Sequence, residues 1–240
     1  MIFPSLDRVK AIAPGYDIVP VYMEILSDVR TPISVLKALK QVSSHTYLLE
    51  SADNSNHWGR YSFLGYDPKI ELFCKNHKMT IKDGTTRTFE CSDPAAEIRN
   101  ILSQYKSPRL EELPTFTGGF VGYFACEYIR YIEPTLDFPT PDDDSAMVND
   151  VDLMLFDKVI AFDHYKNKIY LIANISTNDL ERNYNKAELE LKALADLVVN
   201  GKEADIPKGI LKTEFTSEFT KDEFEAVVKK TQHYIKEGDI

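Results

Sequence analysis

Residues 60–90 read RYSFLGYDPKIELFCKNHKMTIKDGTTRTFE, and the reading of this stretch decides the fold class. Aromatic and β-branched residues alternate with polar ones in successive short runs, RYSFLGY, KIELFCK, KMTIK and TRTFE. A period of two is what half-buried strands require, because successive side chains point to opposite faces of a sheet. Lys82-Asp83-Gly84-Thr85 separates the last two runs and offers a hairpin turn that favours positive φ. The stretch therefore predicts an antiparallel meander.

Outward from it, strands continue to arrive with helices set between them. Residues 18–26, IVPVYMEIL, read as a strand. Thr31-Pro32 supplies an N-cap and a first-turn proline for a helix whose apolar face carries Val35, Leu36 and Leu39. Asp93-Pro94 repeats that signal ahead of Ile98, Ile101 and Leu102. Phe116 to Phe124 reads as a strand with the pair Gly118-Gly119 inside it, a mark of a bulge or a close backbone approach. Residues 134–150 carry prolines and a run of acids and predict a loop. VDLMLFDKVIAFDH and KIYLIANIS then predict a long hairpin about Tyr165-Lys166-Asn167, and Ser176 to Asn200 a helix. Thr220 with Glu223 three residues on is a capping box for a last helix, striped by Phe224, Val227, Val228 and Ile235. The class expected is α+β, with largely antiparallel sheets and packed helices. The expected division is a lobe over 1–200, a linker over 201–215 and a first helix of a further lobe over 216–240. Gly238-Asp239-Ile240 looks like a chain entering another strand, so a longer natural polypeptide is expected.

The 240 residues are 43% hydrophobic and 28% charged, ordinary for a globular protein. A net charge of −10 argues against a nucleic-acid partner, since phosphate contacts need clustered Lys and Arg. Cys74, Cys91 and Cys126 lack CxxC spacing, which predicts reduced thiols rather than a disulfide framework or a zinc site. The N-terminus has no signal-peptide pattern and no apolar run is long enough to span a bilayer. The expected location is the cytoplasm, with no membrane partner.

The catalytic inventory is thin. Asp142-Asp143-Asp144 lacks the alternating spacing of a calcium loop and reads as solvated acids. The histidines show no metal spacing, and there is no GxSxG elbow and no Walker A loop. Asp163-His164 could form an acid–base pair, but it stands beside a hairpin turn, where capping is the commoner role. One stretch invites a different reading: at 47–66, YLLESADNSNHWGRYSFLGY, an apolar run ends on Glu50-Ser51 and resumes at Arg60. Glu50 accepts hydrogen bonds, Ser51 both donates and accepts, and Arg60 suits a carboxylate; these are groups a free amino acid needs. The same residues also suit a plain hairpin with a polar loop.

With these residues in place, a resemblance can be stated. LLESAD–WGRYSFLGYDP, FTGGFVGYFACEYIRYIE and DLMLFDKVIAFDH resemble, in this order, the N-terminal lobe of the anthranilate synthase component I family. The likeness runs from about Ile18 to Ile240. It implies an enzyme converting chorismate and ammonia to anthranilate and pyruvate, with a glutamine amidotransferase subunit delivering the ammonia. It implies that Ser51, with Glu50 and Leu49 beside it and Arg60, Tyr61 and Ser62 opposite, lines a site where L-tryptophan binds as feedback inhibitor. Magnesium and every catalytic residue are implied to lie in a chorismate-binding lobe outside this chain, so no catalytic residue is expected here and the chain alone should be inactive. The nearest alternative is aminodeoxychorismate synthase component I; another is a non-catalytic amino-acid-binding module.

Overall fold

The computed structural model describes all residues except 29, 52–58, 134, 136–147, 206, 208 and 240. The acidic run at 142–144 and most of the expected loop at 134–150 lie outside the described residues, as do residues 52–58 after LLES. The chain divides into one unit over 1–205 and a second over 206–240.

Unit 1 is α+β, with two five-stranded antiparallel sheets. Its helices are α1 (Leu6–Ile12), α2 (Pro32–Leu39), α3 (Pro94–Leu102), α4 (Ile129–Ile132) and α5 (Leu180–Asn200). Its strands are β1 (Ile18–Leu26), β2 (Thr46–Leu49), β3 (Tyr61–Tyr66), β4 (Ile70–Lys75), β5 (Lys78–Lys82), β6 (Thr86–Glu90), β7 (Gly119–Phe124), β8 (Val151–Phe156), β9 (Lys158–Asp163) and β10 (Lys168–Ser176). The first sheet has the order β1-β10-β9-β3-β2, the second β6-β5-β4-β8-β7.

Local signals set the element boundaries. The Thr31 side chain accepts from Ser34 N and that of Asp93 from Ala96 N, so both cap-plus-proline signals start helices. The turn before β6 places Gly84 at φ +95°, a conformation a side chain would resist. β4, β5 and β6 form the expected meander, with Cys74 opposite Met79 and Met79 opposite Phe89.

Sheet membership departs from the expectation in two places. RYSFLGY does not join the meander: β3 pairs with β2 and β9 in the first sheet. The chain breaks at Asp67-Pro68, where Asp67 takes φ +52° and its N–H is bound by His45 O and Ser43 Oγ. VDLMLFDKVIAFDH is likewise two strands in two sheets rather than one arm of a hairpin. At Asp157 the backbone carbonyl accepts from both Asn174 N and Asn174 Nδ2, so the β10 ladder captures the chain there and draws it into the first sheet. Only β9 and β10 make the expected hairpin. The expected strand from Phe116 begins later, at Gly119, and α5 begins at Leu180 because residues up to Ser176 are still paired with β1.

One core packs the first sheet against α1, α2 and α5 through Val9, Val35, Leu39, Leu64, Phe162, Leu171, Leu191 and Leu194, among others. Each such side chain, once buried, contributes about 1.5–3 kcal/mol of transfer free energy. The opposite face of that sheet packs Tyr22, Val159, Ala161, Tyr170 and Ile172 on Leu110 and Leu113. A third cluster joins the second sheet to α3 through Leu72, Cys74, Met79, Ile98 and Ile101. The cysteines are free, Cys74 and Cys91 buried and Cys126 exposed, and burial pushes the Cys74 and Cys91 thiols up. No helix is long and apolar enough to cross a membrane among the described residues.

Unit 2 holds α6 (Lys221–Glu237). Its capping box is complete, with Glu223 N donating to Thr220 Oγ1 and Thr220 N donating to Glu223 Oε2. Gly238 closes it at φ +81°. Phe224, Val227, Val228 and Ile235 are all exposed.

Candidate functional site

The LLES stretch leaves the sheet where its polar residues begin. The β2–β3 ladder runs from Thr46↔Tyr66 to Leu49↔Phe63, and Glu50 and Ser51 lie beyond its last pair, both exposed. Tyr47 holds the strand in place: its ring lies over Gly65, which leaves no room for a side chain there, and packs edge-on against Phe156 at 4.7 Å. Burial pushes the Tyr47 hydroxyl well above the usual phenol range.

The sheet's alternation sorts the expected site residues by face. Leu48 and Leu64 turn toward the helices, whereas Leu49 pairs with Phe63, whose ring meets Phe116 edge-on at 5.4 Å on the other face. Tyr61 belongs with Phe63, their rings stacked at 5.7 Å, so Leu49, Tyr61 and Phe63 share an apolar wall. Ser62 has the parity of Leu64, is 3% exposed, and makes a 2.7 Å hydrogen bond between its Oγ and His164 Nε2. The structure therefore brings Leu49 and Tyr61 to one surface and separates Ser62 from them.

Arg60 has a partner that sequence reading missed. Its Nε donates to Asp163 Oδ1 at 3.1 Å and its Nη2 to Oδ2 at 2.7 Å, a two-point fork. Asp163 Oδ1 also accepts from Tyr165 N and Lys166 N, each at 3.1 Å. Burial raises the Asp163 carboxyl, but the Arg60 fork, the two backbone donors and the guanidinium charge outweigh it and hold the group below the usual carboxylate range. The hydrogen bonds that Arg60 donates to Asp163 raise the guanidinium in turn. The guanidinium lies 4.8 Å from the Tyr61 ring centre and 5.5 Å from that of Tyr165. Asp163 is thus a turn cap and ion-pair partner, and His164 binds a different residue, so the two do not act as an acid–base pair. The Asp163-His164 dipeptide was the available signal, but its partners stand 102 and 103 residues away.

Gly118-Gly119-Phe120-Val121-Gly122 takes the role expected of it, close backbone approach. A side chain on Gly122 would collide with the Asp152 carbonyl, and one on Gly118 would come within 2.9 Å of the Phe156 carbonyl oxygen. Asn174 Nδ2 donates to Thr117 O at 2.7 Å and so ties this segment to the first sheet. No group of His, Cys, Asp and Glu that could hold a metal occurs among the described residues.

Comparison with known proteins shows the family to which the chain belongs. The sequence pattern of the chorismate binding enzyme family matches residues 45–240, and the chain belongs to that family. Within it, the chain is 34% identical to anthranilate synthase component 1 of Acetivibrio thermocellus, over 100% of this chain and 50% of that protein. It is 36% identical to the Acinetobacter calcoaceticus protein of the same name, over 94% of this chain and 46% of its relative. The crystal structure of anthranilate synthase component I from Streptococcus pneumoniae TIGR4 is similar at 25% identity and a TM-score of 0.49, over 90% of this chain and 46% of the other. The chain spans about half the length of these relatives.

Proposed function

We propose that this chain is the N-terminal, regulatory lobe of an anthranilate synthase component I, which converts chorismate and ammonia to anthranilate and pyruvate as a carbon–oxygen lyase. What supports the reading is the identity to anthranilate synthase component 1 along essentially the whole of this chain. A glutamine amidotransferase subunit supplies the ammonia. Magnesium and the acid–base residues belong to the part of the relatives' length that this chain does not span, so the chain alone makes no anthranilate. The enzyme works in the cytoplasm.

The lobe's own part is to bind L-tryptophan as feedback inhibitor. Leu49 and Tyr61 give an apolar wall for the indole, and Glu50 and Ser51 stand at the exposed strand end for its head group. Tryptophan inhibits by favouring the less active of two states through its higher affinity for that state. In the full-length enzyme, Ser51→Phe is expected to raise the tryptophan concentration for half inhibition at least about tenfold, within the usual range of effector coupling, with kcat little changed. Equal inhibition of the variant and the wild type would sink the site.

A further inference from the structure

An arginine at the mouth of an amino-acid site invites a direct ion pair with the ligand's carboxylate. The geometry gives Arg60 other work. Two of its guanidinium nitrogens already bind the two oxygens of Asp163, at 3.1 and 2.7 Å, and the Asp163 side chain is 0% exposed. Turning that fork toward a ligand would leave a buried carboxylate without its counter-charge, exchanging one ion pair for another at the cost of a desolvated anion. Asp163 is engaged beyond the fork, because the β9–β10 turn hangs from its Oδ1 through Tyr165 N and Lys166 N. The backbone joins the same assembly, with His164 N donating to Arg60 O at 2.9 Å. Around the guanidinium, the Tyr61 and Tyr165 rings are held by cation–π contacts.

Resting on the effector reading above, we infer that Arg60 and Asp163 are positioning residues: the pair fixes the Tyr61 wall and the β9–β10 turn, and the effector's carboxylate is taken by donors other than Arg60. Asp163 thereby acquires a part in regulation although it touches no ligand.

Affinities of the full-length protein for L-tryptophan and for L-tryptophanamide, which lacks the carboxylate charge, separate the two roles. In wild type the ratio of the two affinities reports carboxylate recognition. Arg60→Gln, Asp163→Asn and the double variant are expected to weaken both ligands by a common factor, roughly 2- to 30-fold, with the ratio unchanged and the double variant no worse than either single one. Arg60→Lys, which keeps the charge but loses the fork, should behave as Arg60→Gln does, and it serves where the other variants fold poorly. A ratio that collapses toward one in the Arg60 variants while Asp163→Asn preserves it would assign the carboxylate to Arg60 and overturn the inference. Failure of the underlying effector reading shows earlier and differently, as a wild-type protein that does not bind tryptophan.

Discussion

At the residue scale, the Arg60–Asp163 pair sets how the fold responds to acid. Asp163 is fully buried and its carboxyl is held below the ordinary range by Arg60 and two backbone N–H groups, against the upward push of burial. A carboxyl lowered in the folded state binds its proton more weakly there than in the unfolded chain. Its stabilisation is therefore present above the unfolded value, about pH 4, and is lost as pH falls through the lowered folded value. Arg60→Ala removes the counter-charge and leaves the carboxylate with its backbone donors alone. We expect this to cost about 2–3 kcal/mol near neutral pH, less than a fully buried pair because Arg60 keeps a third of its side chain in water. The gap from wild type in chemical denaturation should narrow as pH falls below about 4 and through the lowered folded value of Asp163, where protonation removes the buried charge from wild type as well. A gap independent of pH would mean that the ion pair is not what stabilises this corner.

At the scale of elements, β7 depends on glycine for backbone contact. Gly122 lies against the Asp152 carbonyl where β7 pairs with β8, and a methyl group there can be accommodated only by moving one strand. Gly122→Ala is expected to destabilise unit 1 by about 1–3 kcal/mol, the range for inserting volume into packed structure, read as a lower urea midpoint at constant slope. An unchanged midpoint would show that the strands separate without cost. The glycines were legible in the sequence because close approach is a property of the residue itself. So were the caps at Thr31, Asp93 and Thr220, whose signals act over three residues. Sheet membership was not legible, because alternation records which face is buried and carries nothing about which strand lies alongside. β3 and β4 share one pattern yet separate at Asp67, and β8 and β9 separate at Asp157, where Asn174 decides the matter from another strand. The candidate site follows the same rule. The polar strand end at Glu50-Ser51 could be read directly, while the partners of Arg60 and Ser62 depended on a fold that brings β9 beside β3.

At the scale of the molecule, every residue of the three hydrophobic clusters precedes Gly201. The last of them, Val198, lies in α5, which closes the first sheet with Leu191 and Leu194. These cores are built from residues of unit 1, and a polypeptide of residues 1–205 is expected to unfold in one cooperative transition. Its midpoint should fall within a few degrees of that of the 240-residue chain, since about 1 kcal/mol corresponds to roughly 2–4 °C at this size. Differential scanning calorimetry of the two polypeptides tests this, and a broad transition or a large drop for 1–205 would show that the cores draw on the second unit. α6 presents the opposite case. Its capping box and Gly238 specify a helix, yet Phe224, Val227, Val228 and Ile235 bury nothing within it, and most helical stability comes from packing an apolar face. As a separate peptide, residues 216–240 should accordingly show only partial helicity by circular dichroism, rising in trifluoroethanol, which favours helix without tertiary packing, whereas 1–205 should already be folded in water.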